Sequence, residues 1–300
     1  MAGLGQNIDT QFSVRSLMVG GQIIAGQEIT PWFFTDANLG LGYGFMGDRR
    51  IPSAHLETIE GQQVTLDFWN TSPMEHTIHL HGLDVDQLND GVPQTSFSVP
   101  SMGTNSYTFT APHAGTYMYH CHVDTVLHFA RGMYGTIIVR PSDSSTNKAW
   151  DGGPTFDEEV LWQLSTYQTS WATLLSSGGM TVRMRPDAFL LNGRESAEAM
   201  TDTYSRVEFG TNERAYLRLT NMAYQWARVT LGGQPFSVVA SDGRPLANPI
   251  STASWEIGPG ERYDLLLESF PAGTYTGLVE YLDDASGAVI GSVQTEVLVS

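Results

Sequence analysis

Short segments in which apolar and polar residues alternate recur along the whole chain. Clear examples are QQVTLDFWN (62–70), TNSYTFTAP (104–112), GTIIVRP (135–141), ERAYLRLTN (213–221) and ERYDLLLES (261–269). Since successive side chains of a strand point to opposite faces, this period of two predicts β-strands with one buried face. Gly, Pro, Asn and Ser bound the segments, as expected for turns. The pattern therefore predicts an all-β chain built from sandwiches or barrels.

Helical signals are weak. The segment VLHFARGM (126–133) predicts a loop or a short turn, and TSWATLLSSG (169–178) fits a helix or a strand. A polar stretch, PSDSSTNKAWDGGPT (141–155), has the composition of a linker. We therefore predict a first domain over residues 1–141, a linker over 142–155 and a second domain over 156–300, each long enough for its own core.

Composition limits the classes of partner. The net charge of −17 over 300 residues argues against binding to nucleic acid or to an anionic membrane surface. The longest apolar runs are shorter than the roughly 18 residues of a membrane-spanning helix. The start, MAGLGQNID, lacks the basic and apolar regions of a secretory signal. We nevertheless expect a periplasmic or extracellular protein whose export signal is absent from this sequence.

The distribution of histidines points to metal chemistry. Most of the eight lie in HTIHLHG (76–82) and YHCHVDTVLHFARGM (119–133), the second of which also holds the single cysteine. If residues 76–81 and 117–122 are strands, side-chain alternation sorts the potential ligands into two groups. One face carries His76 and Cys121. The other carries four histidines: His79, His81, His120 and His122.

The first group gains two members from the segment after Cys121, namely His128 and Met133. One thiolate, two imidazoles and a weak axial thioether form the trigonal environment of a blue-copper centre. A lone buried Cys or Met would be explained by core packing, but the combination at this spacing predicts a metal site. His55 and His113 are predicted to be surface or turn residues.

These motifs resemble the multicopper oxidase family of cupredoxin-fold proteins. The resemblance runs from IEGQQVTLDFWN (59–70) to GMYGTIIVRP (132–141) and includes DGVP (90–93). It implies two tandem cupredoxin-like Greek-key β-sandwich domains with copper as cofactor. By resemblance, the type 1 copper ligands are His76, Cys121, His128 and Met133, the type 2 ligand is His79, and the type 3 ligands are His81, His120 and His122. Asp90 matches an acidic residue that the family uses in proton supply, although an aspartate before glycine is also common in turns.

The second half resembles the copper-free middle cupredoxin domain of three-domain oxidases, in FLLNGRE (189–195) and IGPGERYDLLLE (257–268). Two-domain members of the family form trimers in which four histidines of one domain 1 meet four of a neighbour's domain 2. Here Gln225 and Arg228 stand where imidazoles are expected, and no histidine follows His128. Three arrangements stay open: an incomplete cluster, two copies of domain 1 paired across a two-fold axis, or a second polypeptide that supplies the missing ligands.

The resemblance implies a laccase-like, copper-dependent oxidoreductase. It would accept single electrons from a small-molecule or protein donor at a type 1 copper and reduce dioxygen at a histidine-bound copper cluster. We expect a homo-oligomer, either a trimer or a paired domain 1 assembly. The alternative is an electron-transfer or copper-binding protein with an incomplete trinuclear site. A nitrite-reductase-like enzyme ranks third, because the third type 2 ligand of such an enzyme would come from a domain 2 histidine.

Overall fold

The computed structural model describes residues 4–6, 8–36, 50–178 and 183–300. Most of the regular structure within them is β. The elements of the first half are β1 (Gln11–Leu17), β2 (Gln22–Ile24), β3 (Gln27–Ile29), β4 (Phe33–Asp36), β5 (Leu56–Ile59), β6 (Gln63–Asn70), β7 (His79–His81), β8 (Thr104–Thr110), β9 (Gly115–His120), α1 (Thr125–Ala130) and β10 (Tyr134–Arg140). Those of the second half are β11 (Glu158–Tyr167), β12 (Ala188–Leu191), α2 (Ser196–Ala199), β13 (Val207–Phe209), β14 (Ala215–Asn221), β15 (Trp226–Leu231), β16 (Phe236–Ser241), β17 (Arg244–Thr252), β18 (Ser254–Ile257), β19 (Arg262–Leu267), β20 (Gly273–Leu282) and β21 (Val289–Val299).

The first half is a sandwich of two sheets with strand orders β4-β1-β6-β8 and β5-β10-β9-β7. Strand β6 shows why the sheets stack: Val64, Leu66 and Phe68 are buried and alternate with more exposed residues. These side chains join Tyr119 and Ile137 of the other sheet in one apolar core. Burial of this alternating apolar face is the main force that holds the two layers together.

The second half repeats this plan with larger sheets, β12-β11-β14-β19-β16-β17 and β13-β21-β20-β15-β18. Its core lies between them and is equally apolar, with Leu217 and Leu265 of one sheet and Val229, Val279 and Val293 of the other. The predicted all-β fold of two cupredoxin-like sandwiches is confirmed. The predicted domain boundaries stay a prediction; in the segment between β10 and β11, Ala149 and Phe156 are buried.

A buried ionic network lies where the two halves meet. Arg140 of β10 binds Glu57 of β5 at 2.7 Å and Glu159 of β11 at 2.8 Å. Arg218 of β14 binds the same Glu159 at 2.6 Å, and Asp264 of β19 accepts a hydrogen bond from the Thr116 hydroxyl on β9 at 2.6 Å. Pairing of this kind offsets the cost of burying these charges, so the network favours one register of one sandwich on the other.

Neither of the two segments with weak helical signals forms a long helix. Residues 126–133 were predicted as loop or turn, yet most of them belong to α1, a helix of less than two turns. The segment 169–178 forms only a 3-10 turn at Thr169–Trp171, neither a full helix nor a strand. Such short pieces are held by tertiary contacts, so local pattern predicts them poorly. Among the described residues, none of the helices has the length and apolar character needed to cross a membrane.

Candidate metal centre

Strand pairing brings the two histidine-rich stretches together. Strand β7 is the edge strand beside β9, and the register places His79 directly opposite His120. Strand β9 ends at His120, so Cys121 and His122 are the first residues beyond it. His76 is held by backbone hydrogen bonds with Val99, at 3.1 and 2.9 Å. The start of β7 and the end of β9 thus lie at the same corner of the sheet.

Helix α1 and the turn after it add the remaining members. The helix carries His128 into the core, where its side chain is 3% exposed. The backbone then returns, because the Met133 amide donates to the His128 carbonyl at 3.1 Å and the Cys121 amide donates to the Met133 carbonyl at 3.0 Å. Both Cys121 and Met133 are fully buried in the core of the first sandwich. These backbone bonds therefore bring Cys121, His128 and Met133 close together.

The first candidate site joins three buried residues, His76, Cys121 and His128. Nδ1 of His76 lies 3.4 Å from the Cys121 sulfur and 3.2 Å from Nδ1 of His128. The His128 nitrogen lies 3.2 Å from the same sulfur. Three donor atoms at the corners of a nearly equilateral triangle fit a single metal ion. One thiolate and two imidazoles are ligands that favour copper.

The electrostatics of this site also suit a metal. Burial, and then the nearby His128, lower the pKa of His76 to about 3. Burial lowers the pKa of His128 to about 4, so both imidazoles are neutral and offer a lone pair. Burial raises the pKa of the Cys121 thiol to about 12, so the thiolate forms only when a cation compensates its charge. Among the described residues, Nε2 of His76 has no hydrogen-bond partner, and Nδ1 is the nitrogen of this ring that faces the site.

The second candidate site joins His79, His81 and His120, whose ligand atoms all lie within 4.8 Å of one another. Nδ1 of His81 is 3.3 Å from Nε2 of His120, and the rings of His79 and His120 are 5.1 Å apart between centroids. His122 adjoins this group, with its ring centroid 5.2 Å from that of His79. The structure therefore brings the four predicted histidines together, and three of them share the tighter geometry.

Hydrogen bonds at the far side of two rings orient these imidazoles. Nδ1 of His79 lies 2.6 Å from the backbone carbonyl of Asp90, and Nδ1 of His120 lies 3.0 Å from the carbonyl of Cys121. Each carbonyl accepts a hydrogen bond from that N–H and leaves Nε2 free to bind a metal, which is the usual arrangement around metal-binding histidines. Burial lowers the pKa of His120 to about 3, so this ring too is a neutral ligand.

Asp90 faces the second site with its backbone. Its carbonyl accepts the His79 hydrogen bond, whereas its carboxylate accepts the Val92 amide at 2.9 Å within its own turn. Gly91 has a φ of 77°, and a Cβ there would lie 1.9 Å from the Ile78 carbonyl oxygen, so only glycine lets this turn approach β7. The DGVP motif therefore serves to orient His79, and a role of the Asp90 carboxylate in proton supply stays a prediction.

The second half contributes a residue that the sequence did not single out. The guanidinium of Arg262 lies beside Gly82, where a Cβ would stand 2.1 Å from Nη2 of the arginine. The side chain is 5% exposed and pairs with Asp242 at 2.9 Å. Burial, and then the charge of Arg262, lower the pKa of His81 to about 4. No local sequence motif predicts this contact, because Arg262 and Gly82 lie far apart in sequence.

Two other histidines lie outside these sites. His113 is in a turn, as predicted, and its carbonyl accepts a hydrogen bond from the Tyr117 hydroxyl at 3.0 Å. The prediction of a surface or turn position for His55 is wrong, since it is 4% exposed and pairs with Glu57 at 3.1 Å. This contact gives the buried His55 ring a polar partner in the ionic network.

Comparison with known proteins identifies the class. Two models described as multicopper oxidase match residues 27–144 and 162–300. Laccase-1 of Cryptococcus neoformans is 27% identical over 75% of this chain and 38% of its own length. Copper resistance protein A of Escherichia coli is 26% identical over 82% of this chain and 46% of its own length. The chain thus spans less than half the length of these curated relatives.

Solved structures share the fold. The blue copper oxidase from Nitrosomonas europaea superposes with a TM-score of 0.75 and 24% identity, over 96% of this chain and 85% of that one. The fold and the buried cysteine–histidine set define a cupredoxin-like copper protein. The chain belongs to the multicopper oxidase family, whose cofactor is copper.

Proposed function

We propose that the chain is a laccase-like copper oxidoreductase with two connected sites. The type 1 site would use His76, Cys121, His128 and Met133. The second site would use His79, His81, His120 and His122 as half of a copper cluster that reduces dioxygen to water. Copper supplies one-electron redox chemistry at both sites when it is bound.

The observation that carries this proposal is the segment His120-Cys121-His122. Cys121 points into the sandwich core, whereas His120 and His122 join the second group of rings. The sulfur of one site is thus linked to imidazoles of the other through adjoining backbone, a short covalent route between a donor and an acceptor site. Exclusion of water from the first site, where all three convergent residues are buried, favours a fixed geometry for a one-electron couple.

The residues of the chain have distinct tasks in this function. Carbonyl groups of Asp90 and Cys121 hold the His79 and His120 rings in the tautomer that leaves Nε2 free. The half-buried rings of His79, His81 and His122 stay accessible for a small molecule or for further ligands. We propose that the Asp90 carboxylate exchanges protons with this site, since the side chain is only partly buried.

A complete cluster needs more imidazoles than one copy supplies. Three-copper chemistry uses about eight, and the chain offers four beyond the first site. We propose a homo-oligomer, either a trimer or a pair of first-half domains facing each other, that acts in the periplasm or outside the cell. Its electron donor would be a small molecule or a protein.

A second candidate function is electron transfer without oxygen chemistry. It is favoured by Arg262, whose guanidinium lies beside Gly82, the residue after His81, and whose charge lowers the pKa of His81. A fixed positive charge opposes the binding of several copper ions close by. A nitrite-reductase-like activity is a third candidate, and the chain shares the fold of the copper nitrite reductase from Nitrosomonas europaea with a TM-score of 0.70 and 20% identity.

Copper content, visible absorption and oxygen uptake, measured on one copper-loaded preparation, test these candidates. The oxidase proposal expects an intense blue copper–thiolate band, more than one copper per chain, and oxygen uptake with a phenolic one-electron donor. A blue protein with one copper per chain and no oxygen uptake would favour electron transfer. Reduction of nitrite, with oxygen excluded, would favour the third candidate. A copper-loaded protein that stays colourless when oxidised would contradict the type 1 assignment.

A further inference from the structure

A buried arginine lies next to the first candidate site. Arg131 follows α1 and is 2% exposed. Its guanidinium carbon lies 4.3 Å from the ring centroid of Trp32, a cation–π distance. Trp32 in turn meets His128 edge to face, with centroids 5.2 Å apart at 78°. The arginine, the tryptophan and the histidine thus form a contiguous stack that ends at a proposed copper ligand.

The charge of Arg131 has no carboxylate partner among the described residues. Its two terminal nitrogens donate to backbone carbonyls, Nη1 to Leu174 at 2.8 Å and Nη2 to Thr30 at 2.9 Å. By contrast, two fully buried arginines of the ionic network, Arg140 and Arg218, each bind a glutamate. Arg131 therefore keeps a full positive charge in a dry environment, held in place by neutral groups and an aromatic face.

Such an arrangement costs stability, so its position next to the first site calls for an explanation. A guanidinium stays protonated even when buried. In a medium of low dielectric constant its field reaches several ångströms with little screening. The site beside it alternates between two states that differ by one positive charge. A fixed cation disfavours the more positive of the two.

We propose that Arg131 is a positioning residue that raises the reduction potential of the type 1 copper through its fixed charge, with Trp32 holding it at the His128 ligand. This inference rests on the proposed type 1 site. It adds a charge-based control to the axial thioether and the apolar surroundings, which are the usual means of tuning such centres. The bond to Leu174 also anchors the guanidinium to the segment between β11 and β12, where Leu174 packs against the first core.

The test is the midpoint potential of the blue band in four purified, copper-loaded proteins. Arg131→Gln removes the charge and keeps a donor for one of the two carbonyls, and Arg131→Lys keeps the charge. Arg15→Gln is the matched control, because Arg15 also stacks on a tryptophan, at 4.8 Å from the ring of Trp69, on an exposed part of β6. If Arg131→Gln does not retain copper, Arg131→Met, whose unbranched side chain can still cover Trp32, provides the measurement without charge.

The expected result is a potential below that of the unmodified protein in Arg131→Gln or Arg131→Met, with the blue band retained. Arg131→Lys, which keeps the charge, should have a potential close to that of the unmodified protein. Arg15→Gln should leave the potential unchanged. A potential that does not fall when the charge is removed overturns the inference, as does an equal fall in Arg131→Lys, which would indicate shape rather than charge. Failure of the underlying proposal is separate, since the unmodified protein would then show no blue band at all.

Discussion

The two candidate metal sites share one strand end but differ in how they are enclosed. The first lies within the core of one sandwich, with its ligand triangle entirely buried. The second lies on the edge strand β7, with His79 and His81 only half buried and Arg262 of the other sandwich beside it. A site that a single domain encloses can be complete in one chain. A site at a sheet edge depends on whatever packs against that edge.

The largest effect that would break this comparison is expected from Cys121→Ser. Replacing sulfur by oxygen removes the soft ligand of the first site but leaves the surrounding core volume nearly unchanged. We expect complete loss of the blue absorption, with far-ultraviolet circular dichroism unaltered. Copper retained by the four histidines should persist at unchanged stoichiometry. A Cys121→Ser protein that remains blue would contradict the assignment of the first site.

The converse experiment removes the second candidate site, which lies at the edge strand β7. His79→Ala combined with His81→Ala deletes both ligands of β7. If two first-half domains pair around a shared cluster, each pair would hold two type 1 coppers and three shared ones, about 2.5 per chain. In the double variant, copper should fall to about one per chain and oxygen uptake should be abolished. The blue band should stay. His113→Ala is the control, because this turn histidine belongs to neither site. Loss of the blue band together with the cluster copper would show that the two sites are not independent.

We expect the histidine site on β7 to depend more strongly than the first site on the contact between the two halves. Glu57 belongs to the ionic network at this contact. Burial alone would raise the pKa of Glu57, but the hydrogen bond with His55 and the charge of Arg140 outweigh it and lower the pKa from 4.5 to about 2. A carboxyl with a lowered pKa in the folded state stabilises it above the unfolded pKa. That stability is lost as the pH falls from about 4.5 towards 2.

We therefore expect the free energy of unfolding to fall by on the order of 3 kcal/mol across that window, from this carboxyl alone. Glu57→Gln should lose part of this pH dependence and should be destabilised at pH 7, because Arg140 keeps its charge with one partner fewer. Urea unfolding of both proteins at pH 7, 4 and 3 measures the difference. In Glu57→Gln, copper of the histidine site should be lost at lower urea than the blue band. If the free energy of unfolding changes equally with pH in the two proteins, protonation of Glu57 does not contribute to the pH dependence of stability.

Much of this arrangement could be predicted from local pattern. Alternation along predicted strands over 76–81 and 117–122 separated His76 and Cys121 from the other histidines. The two groups are separate in the structure, although His76 precedes β7 and Cys121 follows β9, so the assumed strand limits were wrong. The position of His128 on a short helix was not predicted, since its conformation depends on packing. The roles of Arg262 and Arg131 were not predictable either. Their contacts join residues distant in sequence, and alternation says nothing about which distant segment covers a given face.

The smallest predicted effect concerns Met133, which is fully buried in the core that holds Cys121. As a weak axial ligand it should matter little for copper retention but should stabilise Cu(II) more than Cu(I). Met133→Leu keeps the apolar volume and is expected to raise the midpoint potential by at least about 60 mV, a tenfold change in a one-electron equilibrium. Met102→Leu is the matched control, because that side chain is 64% exposed. An unchanged potential in Met133→Leu would mean that the thioether packs in the core without binding copper. The first site would then be a three-ligand centre enclosed by apolar side chains. It would differ even more from the partly exposed histidine site at the sheet edge.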